Sequence, residues 1–211
     1  MKLSLYERYE VLNTAKESIE KAKDVIIKSF ESGGKLLLCG NGGSCADCDH
    51  IVGELMKGFM SKRPLSEAQK QAMINNAGYI NKDWLLELQC ALPAISLPSA
   101  SALNTAFCND VDSELIYAQQ LMGLAKKEDV LFCISTSGNS KNVCAAATVG
   151  KALGIKVIAL TGKSGGKLKD IADICICVPE TETYKVQELH LPVYHYICAE
   201  TEKHFFTDLC N

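Results

Sequence analysis

Ten residues, Lys35-Leu-Leu-Leu-Cys-Gly-Asn-Gly-Gly-Ser44, restrict the fold more than any other stretch of this chain. An apolar strand runs there into a glycine turn and then into a helical pattern carrying His50 and Glu54. A buried strand that feeds a Gly/Ser turn and a helix N-terminus leaves backbone N–H groups pointing outward, an arrangement that suits an anion such as phosphate. The device recurs downstream, where Asp129-Val-Leu-Phe-Cys-Ile-Ser135 leads into Thr136-Ser-Gly-Asn-Ser140 and a helical run from Lys141. Two such turns can converge on one ligand at the carboxyl edge of a parallel sheet.

The rest of the chain has the pattern such a sheet requires. Apolar strands are expected at Pro93 to Leu97, Val130 to Ser135, Lys156 to Leu160 and Ala172 to Val178, with helices at Ser44 to Phe59, Ser113 to Gly123 and Asn142 to Leu153. Alternation of this kind predicts a parallel α/β sheet covered on both faces. At 211 residues the chain is expected to form one domain, residues 1–211. From Leu3 to Ser32, Leu5, Leu12, Ile19 and Ile26 recur every seventh residue, with Ala15 and Ala22 between them. The spacing predicts a helix of about 28 residues and roughly 40 Å, longer than a small sheet needs, so residues 1–33 are expected to serve self-association as well as the core. Residues 60–92 form a polar stretch with the only tryptophan, Trp84, expected to be an insertion acting as a lid, binding element or interface. The last element, Tyr184 to Phe206, is expected to be helical apart from Pro192, and it carries Gln187, His190 and His195.

Composition excludes several classes. Net charge is −3 without a Lys/Arg cluster, which gives no footprint for nucleic acid. No apolar run approaches the roughly 20 residues of a membrane span, and Met1 to Glu7 lacks a signal-peptide core, so a cytoplasmic location is expected. Most of the eleven cysteines sit in apolar strands or helices and read as buried reduced thiols. Cys45 and Cys48 form a C-x-x-C that redox chemistry or half a zinc site would use; with no second such pair, packing is the reading adopted. Two nucleotide motifs also fail. Gly40-Asn-Gly-Gly-Ser-Cys45 misses the third glycine of the dinucleotide fingerprint, and Gly162-Lys-Ser164 lacks the upstream glycine of a P-loop, that position being Val157.

Gly40-Asn-Gly-Gly-Ser44, Asn109-Asp110, Ser135-Thr-Ser-Gly-Asn-Ser140 and Leu160-Thr-Gly-Lys resemble the sugar isomerase (SIS) domain, in particular its phosphoheptose isomerase branch. The resemblance implies a five-stranded parallel α/β/α sandwich assembled as a homotetramer through its helices. It implies a phosphate loop of Ser135, Thr136, Ser137 and Ser140, with Asn41, Gly42, Gly43 and Ser44 near the sugar and Asp110 on its hydroxyls. It further implies a catalytic and zinc site of His50, Glu54, Gln187 and His195.

Moving a proton between C1 and C2 of a phosphorylated sugar, with sedoheptulose 7-phosphate the expected ketose, requires a base on carbon and an acid on oxygen. Glu54 is the expected base and His195 the acid. Zinc would polarise the carbonyl. The chain departs from the family at Gly58, where an Arg is usual, at Tyr184, where an Asp is usual, and in the length of residues 60–92. The competing reading is a non-catalytic SIS protein, a phosphosugar sensor or an adaptor for a replication initiator. Such relatives keep the phosphate loop and lose the acidic and histidine positions. Gln187 and His195 lie about 12 Å apart along a straight helix, so at least one of Glu54, Gln187 and His195 is expected from a neighbouring chain.

Overall fold

A computed structural model describes residues 4–206. The N-terminal segment, expected as one helix from Leu3 to Ser32, is instead broken into α1 (Leu5–Arg8), a 3-10 turn (Glu10–Ala15) and α2 (Lys16–Glu31), and Leu3 lies outside the described residues. The break has local causes. Ser4 and Glu7 form a capping box that starts α1, Tyr9 leaves helical geometry, and the Asn13 side chain takes the carbonyls of Tyr6 and Glu10 that a continuing helix would use.

β1 (Leu36–Gly40) follows, then α3 (Gly43–Met56), α4 (Glu67–Ala77), α5 (Lys82–Glu87), β2 (Ala94–Ser96), α6 (Ser101–Asp110) and α7 (Ile116–Leu124). The chain closes with β3 (Val130–Ser135), α8 (Lys141–Ala152), β4 (Lys156–Thr161), α9 (Leu168–Ile171), β5 (Ile174–Cys177) and α10 (Thr183–Phe206). All five strands are parallel, in the order β2-β1-β3-β4-β5. Strand order reverses between β1 and β3, and the crevice outside the carboxyl ends at such a reversal is where open α/β sheets bind ligands.

Side chains alternate across the sheet with period two. Leu36, Leu38, Val130, Phe132, Ile158 and Leu160 face α2, α3 and α10, whereas Leu37, Cys39, Leu131, Cys133, Val157 and Ala159 face α7, α8 and α9. Leu12, Ala15, Ile19, Ala22 and Ile26 are buried in the first of these layers, so the seven-residue stripe packs on the chain's own core. Cys48 is fully buried and burial pushes its thiol, like that of Cys45, up from the ordinary range, as suits packing rather than redox work.

α10 runs unbroken through Pro192, which is buried inside it, correcting the expected interruption. The missing N–H frees only the carbonyl of Glu188, an exposed residue, so the helix tolerates it. His190 on the same helix is fully buried with neither ring nitrogen in a hydrogen bond among the described residues, and burial pushes its pKa down to about 4. The Thr161 backbone acts in the opposite sense without reaching hydrogen-bonding geometry.

Residues 60–92 are not one polar loop. Arg63, Leu85 and Leu92 are buried, an antiparallel bridge between Pro64 and Gln89 closes the base, and α4 stands beyond it with no buried residue. Deleting the residues between Ser66 and Lys82 is therefore expected to leave the sheet core folded, checked by circular dichroism and solubility; loss of all soluble protein would contradict this. The unfolded chain binds a proton at His190 that the folded chain refuses between about pH 6.5 and about pH 4. Its contribution to stability is thus complete above that window and lost as pH falls through it. His190→Leu is expected to flatten the decline, read by urea denaturation at several pH values.

Candidate active site

α3 and α10 lie side by side and run in the same direction. Gln187 packs so closely on Gly43 that a Cβ there would collide with its amide. Further along, Tyr194 and His195 meet His50, and Glu202 meets the turn after α3.

His50, Glu54 and His195 converge, with one donor atom from each all within 4.8 Å of one another. His50 Nε2 is 3.1 Å from Glu54 Oε1 and 3.3 Å from His195 Nε2. Two ligand nitrogens about 2.0–2.1 Å from a tetrahedral zinc stand about 3.3 Å apart, so the facing imidazoles already have the spacing such an ion imposes. Burial, with His50 adding to it, holds the His195 pKa below the ordinary imidazole value, against the pull of Glu54. Phe59 packs on the His195 ring. On the other side His50 Nδ1 is 3.1 Å from the Tyr194 hydroxyl, which donates to Asp47 Oδ1.

All three residues of this group come from one chain. Gln187 has a different place from the other three. Gly43 precedes His50 by seven residues, about 10 Å of helix rise, so the Gln187 amide sits at the glycine turn rather than among the imidazoles.

Gly42 takes φ +56, and no side chain caps α3 or α8. Asn41 and Asn142 exchange two amide hydrogen bonds, at 2.8 and 2.9 Å, and Tyr117 donates to Gly40 O and Asn41 Oδ1. These bonds clasp the loops after β1 and β3. In the second loop Ser135 Oγ and Ser140 Oγ are 3.0 Å apart, Ser137 is exposed, Thr136 is half-buried, and Ser44 is buried beside the first loop. Gly138, at φ +67, lies against Gly165 and Gly166 where a Cβ would strike backbone. Asp110 stands at the exposed end of α6 with the Asn109 amide on its carboxylate.

Sequence reading missed several residues that hold this site. Arg63 is fully buried; Nε bonds Glu202 Oε1 at 2.7 Å, while Nη1 and Nη2 bond the carbonyls of Leu55 and Glu54. Glu202 also accepts from the backbone N–H groups of Phe59, Met60 and Ser61. This ion pair therefore fixes the α3 turn carrying Glu54. Nothing local marks it, because the partners are 139 residues apart. Asp47 had a readable signal in its i, i+3 spacing to His50. Lys57, which follows Glu54 where the family's usual Arg is absent, is exposed and 3.7 Å from Glu54 Oε2.

Residues 5–89 and 85–162 match the family model of the SIS domain. The chain is 36% identical over 194 residues to the phosphoheptose isomerase of Helicobacter pylori (strain P12), covering 92% of this chain and 88% of the relative. It is 30% identical over 204 residues to that of Akkermansia muciniphila, covering 97% and 94%. The solved phosphoheptose isomerase of Francisella tularensis superposes with a TM-score of 0.76 at 31% identity, over 93% of this chain and 91% of that one. Fold and loops thus define an SIS-domain α/β protein. Relatives alike along nearly the whole length narrow this further: the chain belongs to the phosphoheptose isomerase family, a group of sugar-phosphate isomerases.

Removing the Arg63 guanidinium strands a buried carboxylate and frees two carbonyls. Arg63→Ala is expected to cost about 3–5 kcal/mol, measured by chemical denaturation; a loss below about 1 kcal/mol, the range of an exposed pair, would contradict the role assigned to it.

Proposed function

We propose that this protein is a cytoplasmic, zinc-dependent aldose-ketose isomerase of sugar phosphates, that its substrate is sedoheptulose 7-phosphate, and that it works as a homotetramer. The observation carrying this reading is the convergence of His50, Glu54 and His195 on one face of the α3–α10 pair. A phosphosugar sensor or adaptor needs the serine loop but has no use for that group.

The loop Ser135, Thr136, Ser137 and Ser140 and the uncapped start of α8 take the phosphate. Asn41, Gly42, Gly43, Ser44 and Gln187 take the sugar beside it, and Asp110 its hydroxyls. The imidazoles lie about 10 Å of helix beyond the glycine turn, so the ligand must be long. A seven-carbon chain with phosphate at one end and carbonyl at the other suits this separation better than a triose.

Glu54 is the base on carbon. Its Oε1 faces His50, and its Oε2, with Lys57 Nζ 3.7 Å away, is the oxygen that would take the carbon-bound proton. His50, Glu54 and His195 would hold the zinc ion, which supplies a Lewis acid for the carbonyl. His195 presents Nε2 to the site, and one nitrogen cannot hold an ion and a proton together. His195 as ligand and His195 as acid on the substrate oxygen are therefore alternatives that metal analysis separates. The cytoplasmic assignment is supported by buried, free thiols such as Cys39, Cys48 and Cys133.

The test is incubation with sedoheptulose 7-phosphate and detection of the aldose product. Glu54→Gln is expected to lower kcat about 10²–10⁴-fold, while Ser137→Ala and Ser140→Ala raise KM with a smaller effect on kcat, as befits binding shared by ground and transition states. Equal absence of turnover in wild type and Glu54→Gln across a panel of ketose phosphates would refute the enzyme reading.

A further inference from the structure

The orientation of His50 depends on two side chains that have so far been given no task. Tyr194 is 2% exposed and its hydroxyl lies 3.1 Å from both His50 Nδ1 and Asp47 Oδ1. A phenol has one proton, and here it is donated to the Asp47 carboxylate, which can only accept. The phenol oxygen is then an acceptor toward His50, so Nδ1 must be the ring nitrogen that carries hydrogen. The other nitrogen, Nε2, faces His195 Nε2 and Glu54 Oε1, and since a carboxylate can only accept, a proton or a cation must stand between Nε2 and Glu54.

We infer that Asp47 and Tyr194 are positioning residues that hold a hydrogen on His50 Nδ1 and so leave Nε2 as the nitrogen turned toward the site. Packing supports the same assignment. The Tyr194 ring meets the His50 and His195 rings edge-on, with centroids 5.5 and 5.1 Å away, which opposes a ring flip that would exchange the two nitrogens. Asp47 Oδ2 is buried without a partner among the described residues, so the carboxylate's hydrogen bonding runs through Oδ1 and Tyr194. The relay also joins the two helices at the site, because Asp47 and His50 belong to α3 and Tyr194 and His195 to α10. Its use for zinc rests on the metal reading above; the hydrogen on Nδ1 does not.

The test therefore has two readouts. Neutron diffraction from crystals of chelator-treated protein locates the ring hydrogens, and zinc titration against a chromophoric chelator measures affinity. Wild type is expected to show Nδ1–H at His50. Tyr194→Phe, which removes the acceptor and keeps the ring, is expected to populate Nε2–H and to weaken zinc about 10–100-fold, the range for loss of an outer-shell partner. Should Tyr194→Phe fail to fold, Asp47→Asn serves instead: its amide can donate to the phenol oxygen and turn the phenol proton onto Nδ1, with the same expected changes. An Nε2–H tautomer in wild type, or a folded variant that keeps both tautomer and affinity, would overturn the inference. Wild type that binds no zinc but shows Nδ1–H, lost in the variant, would uphold the relay while removing the metal reading.

Discussion

The parallel contact between α3 and α10 is the constraint on which the chemistry of this protein depends. Both helices start at the carboxyl edge of the sheet and run back across the same face, so residues meet at nearly constant offset: 143 positions for Phe59 and Glu202, 144 for His50 and Tyr194, 145 for His50 and His195. Shifting one helix by a residue would turn its contact face by about 100° and scatter these pairs together. The register is held at its far end by Arg63 and Glu202, a buried pair that also takes up carbonyls and N–H groups at the end of α3. Since breaking such a pair leaves an uncompensated charge inside, the site and the core share one stabilising device.

The order of events along α3 then sorts the chemistry by depth. Glycines come first, where the phosphosugar is proposed to meet the backbone, and His50 and Glu54 follow two to three turns later. Because α10 repeats that polarity, Gln187 serves the glycine end and His195 the imidazole end.

The strands, the glycine turns and the one-turn spacing of His50 and Glu54 were legible in the sequence because each is a local pattern: an apolar run, a residue with positive φ, a helical period. The Arg63–Glu202, Asn41–Asn142 and Tyr194–Asp47 pairs were not, since each joins residues far apart in the chain and uses ordinary polar types. The N-terminal stripe had the right residues buried but the wrong element, because heptad spacing registers which side chains face the core and is blind to Asn13 competing for the carbonyls. The separate places of Gln187 and His195 were not legible for a related reason, since each is set by its own partner on α3.

The reciprocal amide pair of Asn41 and Asn142 has a consequence for how a ligand is taken up. Two loops that would otherwise fluctuate independently at the strand reversal are already joined, and Tyr117 ties the same asparagine to the strand below. The loss of conformational freedom needed to build the cradle proposed for the phosphate is incurred when the chain folds, not when the ligand arrives. Binding to such a cradle retains more of its contact energy as affinity, and the loops should look alike in the empty and filled protein, with adaptation confined to the ligand and its water.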